Sequence, residues 1–254
     1  MPPSDRPPGF AGRTRLRERI ATPEGKRRYV RALFATIADR YDLITRILSF
    51  GQDRRWKRRL VRLAMIGPAD RVLDLASGTG DILFETLRHH PRRAVGVDLT
   101  HRMLVLAKHR GESDLHGPTV TFITGDMLSL PLQAAAFDVV TTGYGLRNVP
   151  QLHEAVREIH RVLTRRGRLL SLDFNRPSNP VVRGVYLAYL TVVGSALGLA
   201  LHRDPDTYRY IAESIRSYPG AIGIARLLEA EGFGEVRIIP VLFGLMTIHV
   251  ARKT

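Results

Sequence analysis

Apolar positions along the 254-residue chain change their period twice. Between Arg15 and Met65, Tyr29, Leu33, Phe34 and Ile37, then Ile44, Ile47 and Leu48, recur at three- and four-residue steps, which predicts helices. From residue 71 short apolar runs take over. Arg71–Ala76, Ala94–Asp98, Val120–Thr124, Phe137–Thr142 and Arg168–Phe174 predict five strands, with helices at Asp81–His89, His101–His109 and Gln151–Leu163. Strands alternating with helices in this way predict an α/β fold with a doubly wound, mostly parallel sheet. After Phe174 the alternation stops. Asn179–Leu201 is apolar, Asp204–Arg216 and Ile222–Glu231 read as helices, and strands near Val236–Ile239 and Leu242–Val250 bring the sheet to seven. The expected organisation is a disordered tail at 1–14, a basic helical segment at 15–66, and an α/β domain at 67–254. A helical lid is inserted at about 178–232, before the last two strands. No internal repeat is visible.

The charge is uneven. Up to residue 62 there are 17 Lys and Arg against 6 Asp and Glu; the remainder carries 22 against 18 of a formal net +15. A basic front suits an anionic partner, either nucleic acid or the acidic face of a membrane. Cysteine is absent, which excludes disulfides, thiolate metal sites and Cys nucleophiles, and no metal site is expected. Pro2, Pro3, Pro7 and Pro8 spoil any amphipathic targeting helix in the tail, so the expected location is cytoplasmic. Gly184–Leu201 is 18 residues without a charge and contains Gly194-x-x-x-Gly198. That length is the lower limit for a membrane span. A single crossing would part the last two strands from the five they must join. A greasy lid that touches the bilayer or covers a lipophilic substrate is expected instead.

Strand, then Asp74-Leu-Ala-Ser-Gly-Thr-Gly80, then helix, is a nucleotide-loop pattern. Gly78 and Gly80 let backbone approach a ligand, and the helix start offers free N–H groups. A dinucleotide fingerprint wants a third glycine near position 83, where Leu83 stands, and Asp74 and Asp81 would repel pyrophosphate. Carboxylates here favour S-adenosylmethionine, which carries a sulfonium and an ammonium and no phosphate. Asp98 at the end of the second strand is placed to accept from ribose hydroxyls. Asp126 is placed to accept from the adenine amino group, with Met127 packed on the ring. No Asn/Asp-Pro-Pro-Tyr/Phe element for exocyclic amines follows the fourth strand, where Gly143-Tyr-Gly-Leu-Arg-Asn-Val149 stands instead.

Tyr41-Asp42, Ser49, Gly51 and Trp56, the loop at 74–81, Gly145-Leu-Arg-Asn-Val149, Arg161-Val-Leu163 and Tyr208-Arg-Tyr-Ile-Ala-Glu-Ser-Ile215 together resemble the ubiquinone/menaquinone C-methyltransferase family. The resemblance spans about residues 29–250. It implies a class I, Rossmann-like methyltransferase and cofactor contacts at Thr79, Asp98, Asp126 and Met127. The family's further serine contact falls on Gly143. Thr45 stands for an Asn, Asp53 for a His, Arg165-Arg166 for Pro-Gly, and Asp173 and Asn175 for Glu and Ser, so this is a diverged member.

The implied reaction is C-methylation of a polyprenyl quinol ring, demethylmenaquinol to menaquinol and the ubiquinol precursor alongside it. A ring hydroxyl that loses its proton makes the adjacent carbon a nucleophile for the sulfonium methyl, with neither thiol nor metal required. Candidates for orienting the ring or taking the proton are Tyr144, Arg147, Asn148, Asp173 and His202, with Tyr208 and Tyr210 shaping the substrate site. A lipophilic quinol places the enzyme at the inner face of the membrane, with Arg54–Arg59 meeting anionic headgroups and Trp56 at the interface. Self-association stays open. Two rivals remain: another phenolic or prenylated small molecule, and RNA. The RNA reading wants aromatics interleaved with the arginines, and only Trp56 and Tyr41 offer themselves.

Overall fold

The computed structural model describes residues 13–114 and 120–254, so the tail expected at 1–14 lies outside the described residues but for its last two. Four helices come first: α1 (Arg13–Arg19), α2 (Pro23–Ile37), α3 (Tyr41–Leu48) and α4 (Asp53–Ala64). Thr22 starts α2 by accepting from the Gly25 amide at 3.1 Å, and Pro23 takes the first helical position, where no N–H is needed.

The sheet is built from β1 (Arg71–Leu75), β2 (Arg93–Asp98), β3 (Val120–Thr124), β4 (Phe137–Gly143) and β5 (Leu163–Phe174), then β6 (Phe233–Val241) and β7 (Met246–Lys253). Helices α5 (Asp81–Leu87), α6 (His101–Asp114) and α7 (Leu152–Val162) cross between the early strands. The order is β3-β2-β1-β4-β5-β7-β6. The first five are parallel, and β7 runs antiparallel to both its neighbours. Successive residues point to opposite faces, so the strands are apolar on both. Leu73, Val140 and Leu169 enter one core with α7, while Val72, Val139 and Leu170 enter a second with α4. Strand order reverses between β1 and β4, where a doubly wound sheet opens a crevice at its C-terminal edge.

Between β5 and β6 lie α8 (Pro180–His202), α9 (Asp206–Ser217) and α10 (Gly220–Ala230). Within the insertion expected as a lid at about 178–232, Ile224, Leu227 and Leu228 of α10 pack into the main core with α7, whereas α8 and α9 pack on each other. The Gly194-x-x-x-Gly198 pair is consumed inside the chain. A Cβ at Gly194 would sit 3.2 Å from the Tyr208 backbone, and one at Gly198 only 2.4 Å from the Asp204 carbonyl, so these glycines let α9 and its approach lie against α8. Trp56, expected at the membrane interface, lies inside the protein instead. It is 6% exposed in the core beneath α4, because Asp53, Trp56, Lys57 and Leu60 form that helix's inward stripe.

Candidate active site

Two cavities meet at Tyr144, which lines both. The smaller is a slot of about 80 Å³ over the C-terminal ends of β1, β2 and β4. Gly78, Asp98, Asp126, Met127, Gly143 and Asn148 line it. Gly78 and Gly80 have φ of +55° and +88°, a left-handed turn that glycine adopts without strain. The Gly78 amide donates to Asp98 Oδ2 at 2.9 Å and the Thr100 amide to Oδ1 at 2.7 Å. These bonds fix the Asp98 carboxylate at the strand end, and burial pushes its pKa upward.

Other expected cofactor residues stand differently. Asp74 is buried and does not line the slot. Its Oδ1 accepts from Thr141 at 2.7 Å, Oδ2 has no partner, and burial pushes its pKa up to about 7. Thr79 turns away: its hydroxyl donates to Asp42 at 2.7 Å, tying the glycine loop to α3. Gly80 caps α5, since a Cβ there would strike the Phe84 ring at 2.5 Å. None of these three lines the slot. At Gly143 a Cβ would meet Ile82 Cδ1 at 2.5 Å, so a serine there would require the end of the Ile82 side chain to shift.

Helix α2 covers the slot through Arg27, Val30 and Phe34, a role not legible in its residues. Arg27 pairs with Asp126 at 2.7 Å, and Lys26 donates to the carbonyls of Arg147 and Val149 at 3.0 and 2.8 Å. Burial, aided by Arg147, lowers the Lys26 pKa to about 8. In sequence these two residues belong to an ordinary basic run, Lys26-Arg-Arg28.

The larger cavity, about 530 Å³, lies between α3, α8, α9 and the β5 end. Its lining is apolar except for a few groups. Arg147 is one: it is 6% exposed, stacks its guanidinium 4.9 Å from the Phe174 ring, and donates from Nη1 to Asn148 at 2.8 Å and Ser214 at 3.3 Å. Tyr210 is another, and its buried hydroxyl has no hydrogen-bond partner. Tyr208 also lines the cavity, but its hydroxyl is bonded to His202 Nε2 at 2.8 Å. Among the described residues no carboxylate or imidazole faces this space.

That lining corrects three expectations about ring orientation and proton transfer. Asp173 sits behind Arg147, accepting from its backbone amide at 3.1 Å and from that of Phe174 at 2.8 Å, so it holds the arginine and does not reach the cavity. Asn148 spends both ends within its own loop, donating to the Tyr144 carbonyl at 2.7 Å while accepting from Arg147. His202 lies at the far end of α8, outside the cavity lining.

Tyr144 does divide the two spaces, with φ at +61°. Its hydroxyl donates to Asp53 at 2.5 Å; Asp53 pairs with Lys57 at 2.6 Å, and Lys57 with Asp81 at 2.8 Å. Burial and the Asp53 charge drive the Tyr144 pKa well above its ordinary value, so it stays a neutral phenol. An Asp53/Lys57 pair at i,i+4 is readable in the sequence, but its burial is not.

The residues present fit S-adenosylmethionine. The slot offers carboxylates and strand-end backbone, the Arg27 guanidinium in its lining is taken up by Asp126, and Asp74 leaves a buried carboxylate oxygen unpaired beside the loop. Comparisons with known proteins agree. The model of the ubiE/COQ5 methyltransferase family matches residues 22–253. A demethylmenaquinone methyltransferase from Thermus thermophilus is 39% identical over 87% of this chain and 100% of its own length. A ubiquinone/menaquinone biosynthesis C-methyltransferase from Dinoroseobacter shibae is 34% identical over 88% and 90%. Among solved structures, a SAM-dependent methyltransferase from Thermotoga maritima, described as a possible histamine N-methyltransferase, superposes with a TM-score of 0.64 at 18% identity, covering 89% of this chain and all of that one. Magnesium protoporphyrin IX methyltransferase from Synechocystis, with bound SAH, gives 0.61 at 18% identity over 90% and 100%. At such identities the structures speak for the fold alone.

Proposed function

This chain belongs to the ubiE/COQ5 methyltransferase family, and from that membership we propose that its acceptor is the ring carbon of a polyprenyl quinol, demethylmenaquinol first and the ubiquinol precursor second. It is an S-adenosylmethionine-dependent methyltransferase acting in quinone biosynthesis. The observation that carries the substrate reading is the apolar cavity with one buried cation in its wall, joined across Tyr144 to the slot. An oily ring with an ionisable oxygen suits it; a polyanion such as RNA does not.

S-adenosylmethionine, when bound, supplies an electrophilic methyl group; Asp98, Asp126 and Met127 are the residues that would hold its nucleoside. On the acceptor side Arg147 favours the phenolate, lowering the pKa of the quinol hydroxyl by charge without taking the proton itself. Asp173 and Asn148 hold the guanidinium in place. Tyr210 has a hydroxyl free to meet a ring oxygen. The apolar walls exclude water and keep the ring aligned. Tyr144, fixed through Asp53, shapes the passage between donor and acceptor.

The test is methyl transfer from labelled S-adenosylmethionine to reduced demethylmenaquinol, to the demethylated ubiquinol precursor, and to total RNA in parallel. Label on a quinol ring carbon supports the proposal. Label in RNA, or in neither quinol while cofactor still binds, overturns it.

A further inference from the structure

The outward face of α8 has no partner among the described residues. Val181, Val185, Ala188, Val192, Ala196 and Leu199 are all exposed and fall on one stripe of the helix, along roughly 27 Å. Of an 18-residue apolar stretch of this helix, 28% is buried, by residues such as Tyr186, Leu190 and Gly194 on the opposite side. A helix apolar all round needs cover on both sides, and here one side lacks it.

Two further segments raise apolar groups beside the same opening. Phe50, between α3 and α4, is 63% exposed with φ at +52°, and it stacks on Tyr189 of α8 at 5.7 Å across the cavity wall. Phe243 is fully exposed at a turn where Leu242 and Phe243 have φ of +48° and +54°. Left-handed backbone at bulky residues is strained, and burial recovers nothing at Phe243. Leu242 and Leu245 on either side of it line the larger cavity, as do Phe50, Val181 and Val185. The exposed apolar groups therefore ring the cavity mouth. Four residues after Phe50 begins a run of exposed arginines, Arg54, Arg55, Arg58 and Arg59, none of which has a carboxylate within ion-pair distance among the described residues.

We propose that this face docks on an anionic lipid bilayer, with α8 lying in the plane of the surface, Phe50 and Phe243 inserted, and the cavity mouth opening into the hydrocarbon. The arginines of α4 meet the headgroups. The choice of a bilayer over a second copy rests on the quinol reading at one point: a polyprenyl tail must leave by this mouth, and a dimer across it would seal the exit. The charge points the same way, since a second copy would bring its own arginines.

The test is co-sedimentation of the full chain, without substrate, with vesicles of phosphatidylcholine alone or mixed with phosphatidylglycerol. The wild type is expected to bind the mixed vesicles at least tenfold more than the neutral ones. Val192→Asp with Leu199→Asp, and separately Phe243→Asp, should each cut that binding tenfold or more. These residues lie outside the cavity lining, so the variants should keep their melting temperature and methylate a short-tailed naphthoquinol in detergent at the wild-type rate. Replacing the four arginines by Gln should erase the preference for phosphatidylglycerol. Wild-type-like binding by the stripe and Phe243 variants would overturn the proposal, and so would a wild type that stays in the supernatant. A wild-type dimer that Val192→Asp with Leu199→Asp makes monomeric would assign the face to a second copy instead. Intact vesicle binding with no quinol methylated would remove the quinol reading and leave the docking face standing.

Discussion

The Arg147 guanidinium and the Asp173 carboxylate are both almost completely buried, with Nε 3.1 Å from Oδ1. Asp173 also accepts from the backbone amide of Arg147, so one carboxylate anchors both the arginine's side chain and its turn. Burying such a pair costs desolvation that its mutual attraction repays only in good geometry, and an apolar pair would serve folding as well. In the proposed reading the guanidinium has a task on substrate that an apolar pair could not perform.

Asp173→Asn leaves that buried cation without a counter-charge. The expected loss is about 3–5 kcal/mol of stability. Replacing both partners, Arg147→Met with Asp173→Leu, should recover most of the melting temperature in a thermal melt. Methyl transfer should stay at least about 100-fold down, as for loss of one group that stabilises developing charge. Recovery of activity in the double variant would refute the role.

Tyr210 carries an unpartnered buried hydroxyl. Removing an unpaired buried donor relieves a desolvation cost, so Tyr210→Phe should melt at or above the wild-type temperature. KM for the quinol should rise several-fold while cofactor affinity holds. A fall in melting temperature with unchanged KM would show the hydroxyl satisfied within the fold.

Asp74 titrates near neutrality because burial raises its pKa to about 7. Below that pH it is mostly protonated and above it mostly ionised. A cationic cofactor nearby favours the carboxylate, so binding should release a proton and affinity should rise between pH 6 and 8, by at most about tenfold per unit. Calorimetry in buffers of different ionisation enthalpy measures that proton. Asp74→Asn should flatten the pH dependence; an unchanged slope would place the titrating group elsewhere.

Ile82 Cδ1 occupies the space that a Cβ at Gly143 would need. Gly143→Ser alone should destabilise the chain by about 1–3 kcal/mol through overpacking. Combined with Ile82→Val, which deletes that methyl, stability should return and cofactor affinity should rise, as the new hydroxyl gains a ligand contact. Equal affinity in the double variant and the wild type would show that the serine makes no such contact.

The sheet and the glycine loop were legible for local reasons. Short continuous runs such as Val72–Leu75 and Val139–Thr142, and the Gly78/Gly80 turn, are written in a few adjacent residues. What escaped depends on partners far away in sequence. Lys26 and Arg27 sit in an ordinary basic run whose partners, Arg147, Val149 and Asp126, lie far along the chain and meet them only once α2 covers the slot. Asp173 and His202 carry side chains suited to proton transfer, yet tertiary contacts with Arg147 and Tyr208 engage them. Thr79 was assigned to the cofactor by resemblance, while its hydroxyl holds Asp42. Trp56 looked interfacial among arginines because the strip that buries it becomes visible only once Asp53 and Lys57 are also seen to point inward.

The central chemical claim is that the cavity holds the acceptor's ring oxygen as an anion against Arg147. Its most direct measure is the absorbance titration of a redox-inert naphthol bound to the enzyme. Charge stabilisation by Arg147 predicts a bound pKa at least about one unit below that of the free naphthol, and loss of that shift in Arg147→Met. A bound pKa at or above the free value in the wild type, as an apolar cavity without a working cation would give, would contradict the account.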